Sequence, residues 1–483
     1  MSKQRNEETP DGPETPARRA DGARPRSPWR SAEERAASAD STPRTGRART
    51  IVAWLLAMVL PTLAAMWAGA SLNLAGPDKW EPMMADLAVY REAARVLLEG
   101  GDFYHLVNTF PYIYPPIAAV LAIPLTWLGP PGPQLAWCLA CAAMLLHVLH
   151  RLGIRRAWLA SLIATALFCL DTPFHNVMQL GQLGILLLWL VVTDMVPPRG
   201  RPADAPEPWW KGVGVGLATG LKLTPAVFAI YWFVTGRRRQ AYVAFGTFCL
   251  TAVIGLLVSP THSAGYWMRL AGGDSGANPD AFGWIYNISV QSATQRFLGV
   301  EEGAVPGVVL SALLVVLSLV AAVVAHRRGS LLLAIGLIGI GSSFANPITW
   351  GHHLTWVLLL GLAMLDRRVP RRLKFVLGVT ILVLCVNPQT TLGGGPWAHR
   401  EIFEYSIAQK WYAALPDLVT ALLAVVVLLP WRPKGGSNLE SRRIDDEFDQ
   451  SAAATEPDRG AADEPASDEQ SSSTTIQPRR EST

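Results

Sequence analysis

Apolar runs of membrane-spanning or near-spanning length recur through this chain, at residues 51–70, 112–128, 134–150, 157–170, 176–196, 212–234, 240–259, 304–325, 330–348, 353–365, 373–387 and 412–430. A hydrocarbon core about 30 Å thick takes about 20 apolar residues in a helix, and without water the backbone must bond to itself. The runs predict an all-α polytopic membrane protein with about ten to twelve transmembrane helices and short interfacial helices. Several runs are short for the core and fit tilted, broken or re-entrant segments. No internal repeat is visible.

The charges are as telling as the apolar residues. Of 483 residues only 17% are charged and half are apolar, whereas a soluble chain is about a quarter charged. Residues 1–50 hold 11 Lys/Arg and 8 Asp/Glu, and residues 440–483 hold 12 Asp/Glu against 5 Lys/Arg. Neither end carries enough apolar surface to offset the entropy of ordering it. The expected organisation is a disordered cytoplasmic tail over 1–50, a transmembrane domain over 51–431 and a disordered acidic cytoplasmic tail over 432–483. The first apolar run begins only at Ile51, so no cleavable signal peptide is expected. No basic stripe interleaves with aromatics on a folded surface, which argues against nucleic-acid binding. Cys138, Cys141, Cys169, Cys249 and Cys385 all lie in apolar runs and read as packing residues, since redox or zinc chemistry wants a polar, accessible setting.

Clusters of Lys and Arg mark the cytoplasmic side. They stand at Arg44 to Arg49, Arg237 to Arg239, Arg327-Arg328, Arg367 to Lys374 and Arg432 to Lys434. Both termini are therefore expected inside the plasma membrane, with 71–111, 260–303, 349–352 and 388–411 outside. The middle is less regular: simple crossings would put Arg151, Arg155, Arg156 and the 197–211 loop outside, and re-entrant segments at 112–133 or 212–224 would return those arginines. The long outer loops carry the amides, aromatics and carboxylates, so chemistry is expected on the outer face.

The first outer loop opens a helix at Asp86, with Leu87, Tyr90, Ala94, Leu97 and Leu98 on one face and Gly100-Gly101 at its end, the pattern of a short interfacial helix. Asp86 fits an N-cap, and it also fits a general base that takes a proton from a bound hydroxyl. Tyr112-Ile113-Tyr114-Pro115-Pro116 fits an interfacial aromatic belt or a sugar-stacking wall. Gln179 and Gln182, one turn apart, fit helix–helix contacts or sugar and phosphate recognition. Lys222 lies near the middle of an apolar run, where an ammonium costs about 2.5–3.5 kcal/mol and wants an anionic partner. A lipid phosphate would serve. Asn287-Ile288-Ser289 and Arg296 suggest polar recognition or a solvated loop helix; as a glycosylation sequon the tripeptide carries little weight. Trp350-Gly351-His352-His353 ends the series. Adjacent histidines diverge on a helix and make a poor metal pair, so one is expected to pack while the other reaches a cleft.

Together these features resemble the GT-C class of membrane glycosyltransferases. Within it they resemble the polyprenol-phosphate-mannose-dependent α-(1→2)-mannosyltransferases of the glycosyltransferase family 87 type, over roughly 51–430. The carriers are Asp86-Leu87-Ala88-Val89-Tyr90-Arg91, Phe103-Tyr104, Tyr112 to Pro116, Gly216 to Pro225, Asn287 to Ser289, Arg296 to Gly299 and Trp350 to His353. The resemblance implies a polyprenyl phosphate sugar as donor and a glycolipid or lipoglycan as acceptor, joined by inverting transfer on the outer face. It implies Asp86 as the base, Lys222 and Arg296 at the donor phosphate, and Tyr114, Gln182, Asn287, Trp350 and His352 or His353 around the sugars. No cofactor and no metal are expected. No DxD-type carboxylate pair stands in an outer loop, although Asp274 and Asp280 could be weak ligands. An arabinofuranosyltransferase of the same fold is the alternative, and a lipid or sugar transporter a more distant one: broken helices and an intramembrane Lys suit a transporter, while the missing inverted repeat and the interfacial helix led by Asp86 stand against it.

Overall fold

The computed structural model describes residues 44–71, 84–106, 110–198, 201–202, 205–274, 276, 279–386 and 405–431. The expected tails therefore lie almost wholly outside the described residues, as does most of the 388–411 loop. Residues 1–54 and 55–483 separate into two compact units; the helix that starts at Arg44 is all that is described of the first, and the site described below belongs to the second.

Among the described residues the regular structure is helical throughout. Five helices are long and apolar enough to cross a bilayer alone: Ala48–Ser71, Gly132–Arg151, Arg238–Val258, Val300–Arg327 and Ile407–Leu428. A sixth crossing results if the pair Ala157–Cys169 and Pro173–Leu180, bent by 69°, is one broken span. The other apolar runs are helical too, but shorter, as in Pro116–Thr126, Gly184–Met195 and Leu331–Ala345. Hydropathy counts such segments as spans, while their helices stop short of the roughly 20 residues that cross a hydrocarbon core.

Two breaks build the site. At the first, the Thr172 hydroxyl accepts from the backbone N–H of Phe174 and of His175 at 3.2 and 3.4 Å, capping the half-helix that Pro173 opens. Its other end closes at Gly181 with φ 72°. A Cβ there would lie 2.6 Å from Leu87 Cβ, so the glycine supplies both the left-handed turn and the close approach of the helix bearing Asp86. Gln182 consequently lies beyond the helix and shares no face with Gln179, contrary to the one-turn spacing. Gln179 instead donates to Ser71 Oγ at 3.0 Å.

The second break falls inside the run 212–234. Val213–Leu221 ends at Lys222, whose backbone is extended at φ −153°, ψ 132°, and Ala226–Val234 begins after Pro225. Asp194 anchors the start of the first half by accepting from the N–H groups of Gly212 and Val215 at 2.9 Å each. Helix N-termini favour a carboxylate. The lysine thus leaves the helical ladder at the break and projects from irregular backbone, the arrangement membranes tolerate only where it faces a cavity.

The helix Ala85–Leu98 is not among those long enough to cross. It buries Leu87, Val89, Tyr90, Ala93 and Ala94, whereas Leu98 is exposed. Its N-cap is Met84, at φ 39° and without a side-chain cap. Asp86 is the second helical residue, so the capping reading fails: its carboxylate is committed elsewhere.

Candidate functional site

A cavity of about 390 Å³ opens where the Asp86 helix, the two breaks and the turn Gly351–Leu354 converge. Asp86, Tyr114, Gln182, Lys222, His352 and His353 all face it. Trp284, Trp350 and Tyr266 add aromatic wall, with Trp284 and Trp350 packed edge to face at 6.0 Å. Aromatic faces of this kind stack well on sugar rings and isoprenoid chains.

Gln182 organises the acidic side. Its Nε2 donates to Asp86 Oδ2 at 2.6 Å, while its Oε1 accepts from the hydroxyls of Tyr90 at 3.0 Å and Tyr114 at 3.1 Å. The two phenols can only donate to an amide oxygen, so the amide is oriented and its N–H is aimed at the carboxylate. Tyr114 is held in turn by its own carbonyl, which accepts from Tyr104 at 3.0 Å. Burial pushes the Asp86 carboxyl up to about 6, while the Gln182 hydrogen bond and any charge on Lys222 pull the other way. A carboxylate so placed is largely ionised at neutral pH and more basic than a solvated one.

Lys222 faces it across the cavity. Its Nζ lies 2.6 Å from His353 Nε2, and the backbone N–H of Trp350 donates to His353 Nδ1 at 3.0 Å. His352 packs against His353 with ring centroids 4.3 Å apart, and its buried Nδ1 has no hydrogen-bond partner among the described residues. The turn carrying both histidines sits directly on the backbone of Gly184, where a Cβ would come within 2.8 Å of His352 O.

Asn287 and Arg296 do not reach the cavity. Asn287 is fully buried and uses both ends of its amide. It donates to Ala281 O and Pro347 O, both at 3.1 Å, and accepts from the N–H groups of Ser289 and Thr349 at 3.1 and 3.0 Å. It therefore stitches the loop before Val290–Leu298 to the segment that carries Trp350, and a buried amide leaves no room for a glycan. Arg296 Nη1 donates to Asn287 O at 2.8 Å and to Ser292 Oγ at 2.5 Å. Ser289 caps that helix, and Arg296 lies against the loop carbonyls in the field of Asp417, away from the residues that line the cavity.

In the sequence Tyr90 reads only as part of an apolar helical face, and nothing marks Tyr266 or Trp284 as site residues. Tyr90 lies one helical turn after Asp86, a spacing that could have marked it as sharing that residue's partner; Tyr266 lies on the helix Pro260–Ala271 and Trp284 in irregular backbone, and neither carries a local signal of direction. The five cysteines are free. Among the described residues no three His, Cys, Asp or Glu side chains gather as a metal site would. Asp274 accepts from Gly276 N at 2.8 Å, and the side chain of Asp280 lies outside the described residues.

Residues 112–345 match the model of Glycosyltransferase family 87; Asp86, His352 and His353 flank that stretch. A polyprenol-phosphate-mannose-dependent alpha-(1-2)-phosphatidylinositol pentamannoside mannosyltransferase of Mycolicibacterium smegmatis is 30% identical over 369 residues, 72% of this chain and 84% of that protein. A polyprenol-phosphate-mannose-dependent alpha-(1-2)-phosphatidylinositol mannoside mannosyltransferase of Mycobacterium tuberculosis is 28% identical over 316 residues, 59% of this chain and 72% of that one. Its namesake in M. smegmatis is 28% identical over 358 residues, 66% and 76% of the two chains. No solved structure matches. An all-helical, multi-pass membrane body with these relatives is a membrane glycosyltransferase. The chain belongs to glycosyltransferase family 87.

Proposed function

We propose that this enzyme transfers mannose from a polyprenyl phosphate mannose to the 2-hydroxyl of a mannose on a phosphatidylinositol mannoside or related lipoglycan, at the outer face of the plasma membrane. The donor, linkage and acceptor class come from the names of its relatives. The outer face comes from the basic cytoplasmic loops, which put the Asp86 segment and the histidine turn on the opposite side and both termini inside.

The observation that carries the mechanism is that Asp86 is the one acid lining the cavity among the described residues, with Lys222 lining the same cavity. In the proposed reaction the acceptor oxygen attacks the anomeric carbon as the bond from that carbon to the phosphate oxygen breaks, with inversion. The hydroxyl proton passes to Asp86, a step of the kind that contributes about 10²–10⁴-fold in rate. Negative charge grows on the departing polyprenyl phosphate, where an ammonium at Lys222 stabilises it. Tyr114, Trp350 and His352 wall the sugars, and Gln182 keeps the base aimed. Arg296 and Asn287 brace the wall from behind.

Purified protein given radiolabelled polyprenyl phosphate mannose and phosphatidylinositol mannosides of graded size tests this reading. The expected product is one mannose longer, α-(1→2)-linked, with the anomeric configuration opposite to the donor's. A product of retained configuration, or no transfer to any such acceptor, sinks it.

A further inference from the structure

The contact between Lys222 and His353 has a proton count that geometry dictates. The backbone N–H of Trp350 donates to His353 Nδ1, so that nitrogen carries a lone pair. The single proton of the neutral imidazole is then on Nε2. Nε2 lies 2.6 Å from Lys222 Nζ, a hydrogen-bond distance that needs one donor and one acceptor. With Nε2–H as donor, the acceptor is the lone pair of an uncharged amine. An ammonium would turn N–H against N–H. An uncharged amine also removes the cost that a charged lysine carries in a membrane interior.

We propose that His353 holds Lys222 as a neutral amine before the donor binds, and that binding of the donor phosphate brings one proton from solvent onto Lys222. This rests on the reading of Lys222 as the phosphate site. The Nε2–H to Nζ bond breaks, the proton adds to the Nζ lone pair, and the ammonium turns its N–H groups to the phosphate oxygens; His353 stays neutral. The complex gains charge-assisted hydrogen bonds, and the cation stands where the leaving phosphate will become more negative. His353 is thus a positioning residue acting through Lys222, not a sugar contact. The other titratable groups facing the cavity are Asp86, His352, Tyr114 and Tyr266, and of these an ionised Asp86 opposes the neutral amine.

Calorimetric titration of the full-length protein in nanodiscs with a short-chain polyprenyl phosphate mannose, in two buffers of different ionisation heat, counts the protons. At about pH 9 a lysine of ordinary basicity, near 10.4, is still charged and Asp86 is already ionised. The wild type is expected to take up about one proton per donor there, with affinity weakening about tenfold per further pH unit. His353→Gln places a carbonyl where Nε2 was, which accepts from an ammonium. It should take up no proton and bind the donor more tightly at that pH. Tight wild-type binding without proton uptake overturns the proposal, and so does uptake that persists in His353→Gln. Lys222→Met separates the two readings. Unchanged donor affinity there removes the phosphate role itself, and lost affinity alongside a wild type that takes up no proton overturns only the proton coupling.

Discussion

Gln182 Nε2 donates to Asp86 Oδ2 at 2.6 Å while Gln182 Oε1 accepts from two tyrosine hydroxyls. That relationship turns a surface-type carboxylate into an aimed one. Its orientation depends on a left-handed glycine at Gly181 and on aromatic packing of Tyr90 against Tyr114, 5.0 Å between centroids. The geometry of the proposed base is set by residues that need not touch substrate.

Asp86→Asn keeps the shape and a hydrogen-bonding group but cannot take a proton. Turnover should fall about 10²–10⁴-fold with protein abundance in the membrane nearly unchanged. The wild-type rate should also carry an acidic limb. Because the Asp86 carboxyl sits at about 6 and works only when ionised, kcat/KM should drop about tenfold per pH unit below that value. A carboxyl of ordinary strength, near 3.9, would leave the profile flat down to about pH 4. Near-normal turnover by Asp86→Asn, or a residual rate with the same acidic limb, would remove Asp86 as base.

Gln182→Leu removes the amide that favours the charged form of Asp86 and leaves two phenols without their acceptor. A hydrogen bond to a charged group is worth about 1.5–3 kcal/mol, which is about one to two pKa units. The acidic limb should therefore move upward by about one unit or more, with lower activity at neutral pH. A limb that moves down would mean that Gln182 does not stabilise the carboxylate.

The helices were legible because an apolar run long enough to cross a bilayer has few other fates. Asp86, Lys222 and the histidine pair stand out in the sequence as polar groups that are costly or conspicuous at their positions, and all four line the cavity. Direction was not legible. Asn287 and Arg296 look like ligands by residue type, and only the Ser289 cap and the packing of Val290–Leu298 on Val300–Arg327 turn them away from the cavity. Asp86 reads as a cap because Asp before a helix usually is one; the helix starts at Ala85, with Met84 as its N-cap, two residues before the position an Asp86 cap implies. The hydropathy count of spans had the same weakness, since a mean over a window does not register a break such as the one at Lys222.

Lys222→Met should raise the donor KM about 10–100-fold, the value of charge-assisted bonds worth about 1.5–3 kcal/mol, and leave the acceptor KM less affected. Lys222→Arg should retain much of the affinity. If Lys222→Met leaves the donor constant unchanged while lowering thermal stability, the lysine is a structural partner of His353 alone.

Single-cysteine probes in a cysteine-free background test the orientation. Glu99 and Glu301 are exposed positions in the segments assigned outside, and Arg239 and Arg327 are exposed in those assigned inside. An impermeant thiol reagent should label the first two on intact cells and the other two only after permeabilisation. The reverse pattern would put the cavity on the cytoplasmic side.

Asn287 separates bracing from substrate contact. Its amide satisfies the N–H groups of Ser289 and Thr349 and the carbonyl of Ala281, all buried with it. Asn287→Ala orphans these groups at about 1–3 kcal/mol each unless water enters. The segment from Pro347 to Trp350 then keeps the bonds from Ser289 Oγ to Pro347 O and from the Ile288 N–H to Thr349 O but loses those of the amide, so the aromatic wall and the His353 contact to Lys222 loosen together. The expected result is a clear loss of thermal stability in detergent and a lower kcat, with the donor KM rising less than in Lys222→Met. A variant of unchanged thermal stability whose sugar KM rises tenfold would instead make Asn287 the substrate ligand that the sequence resemblance implied.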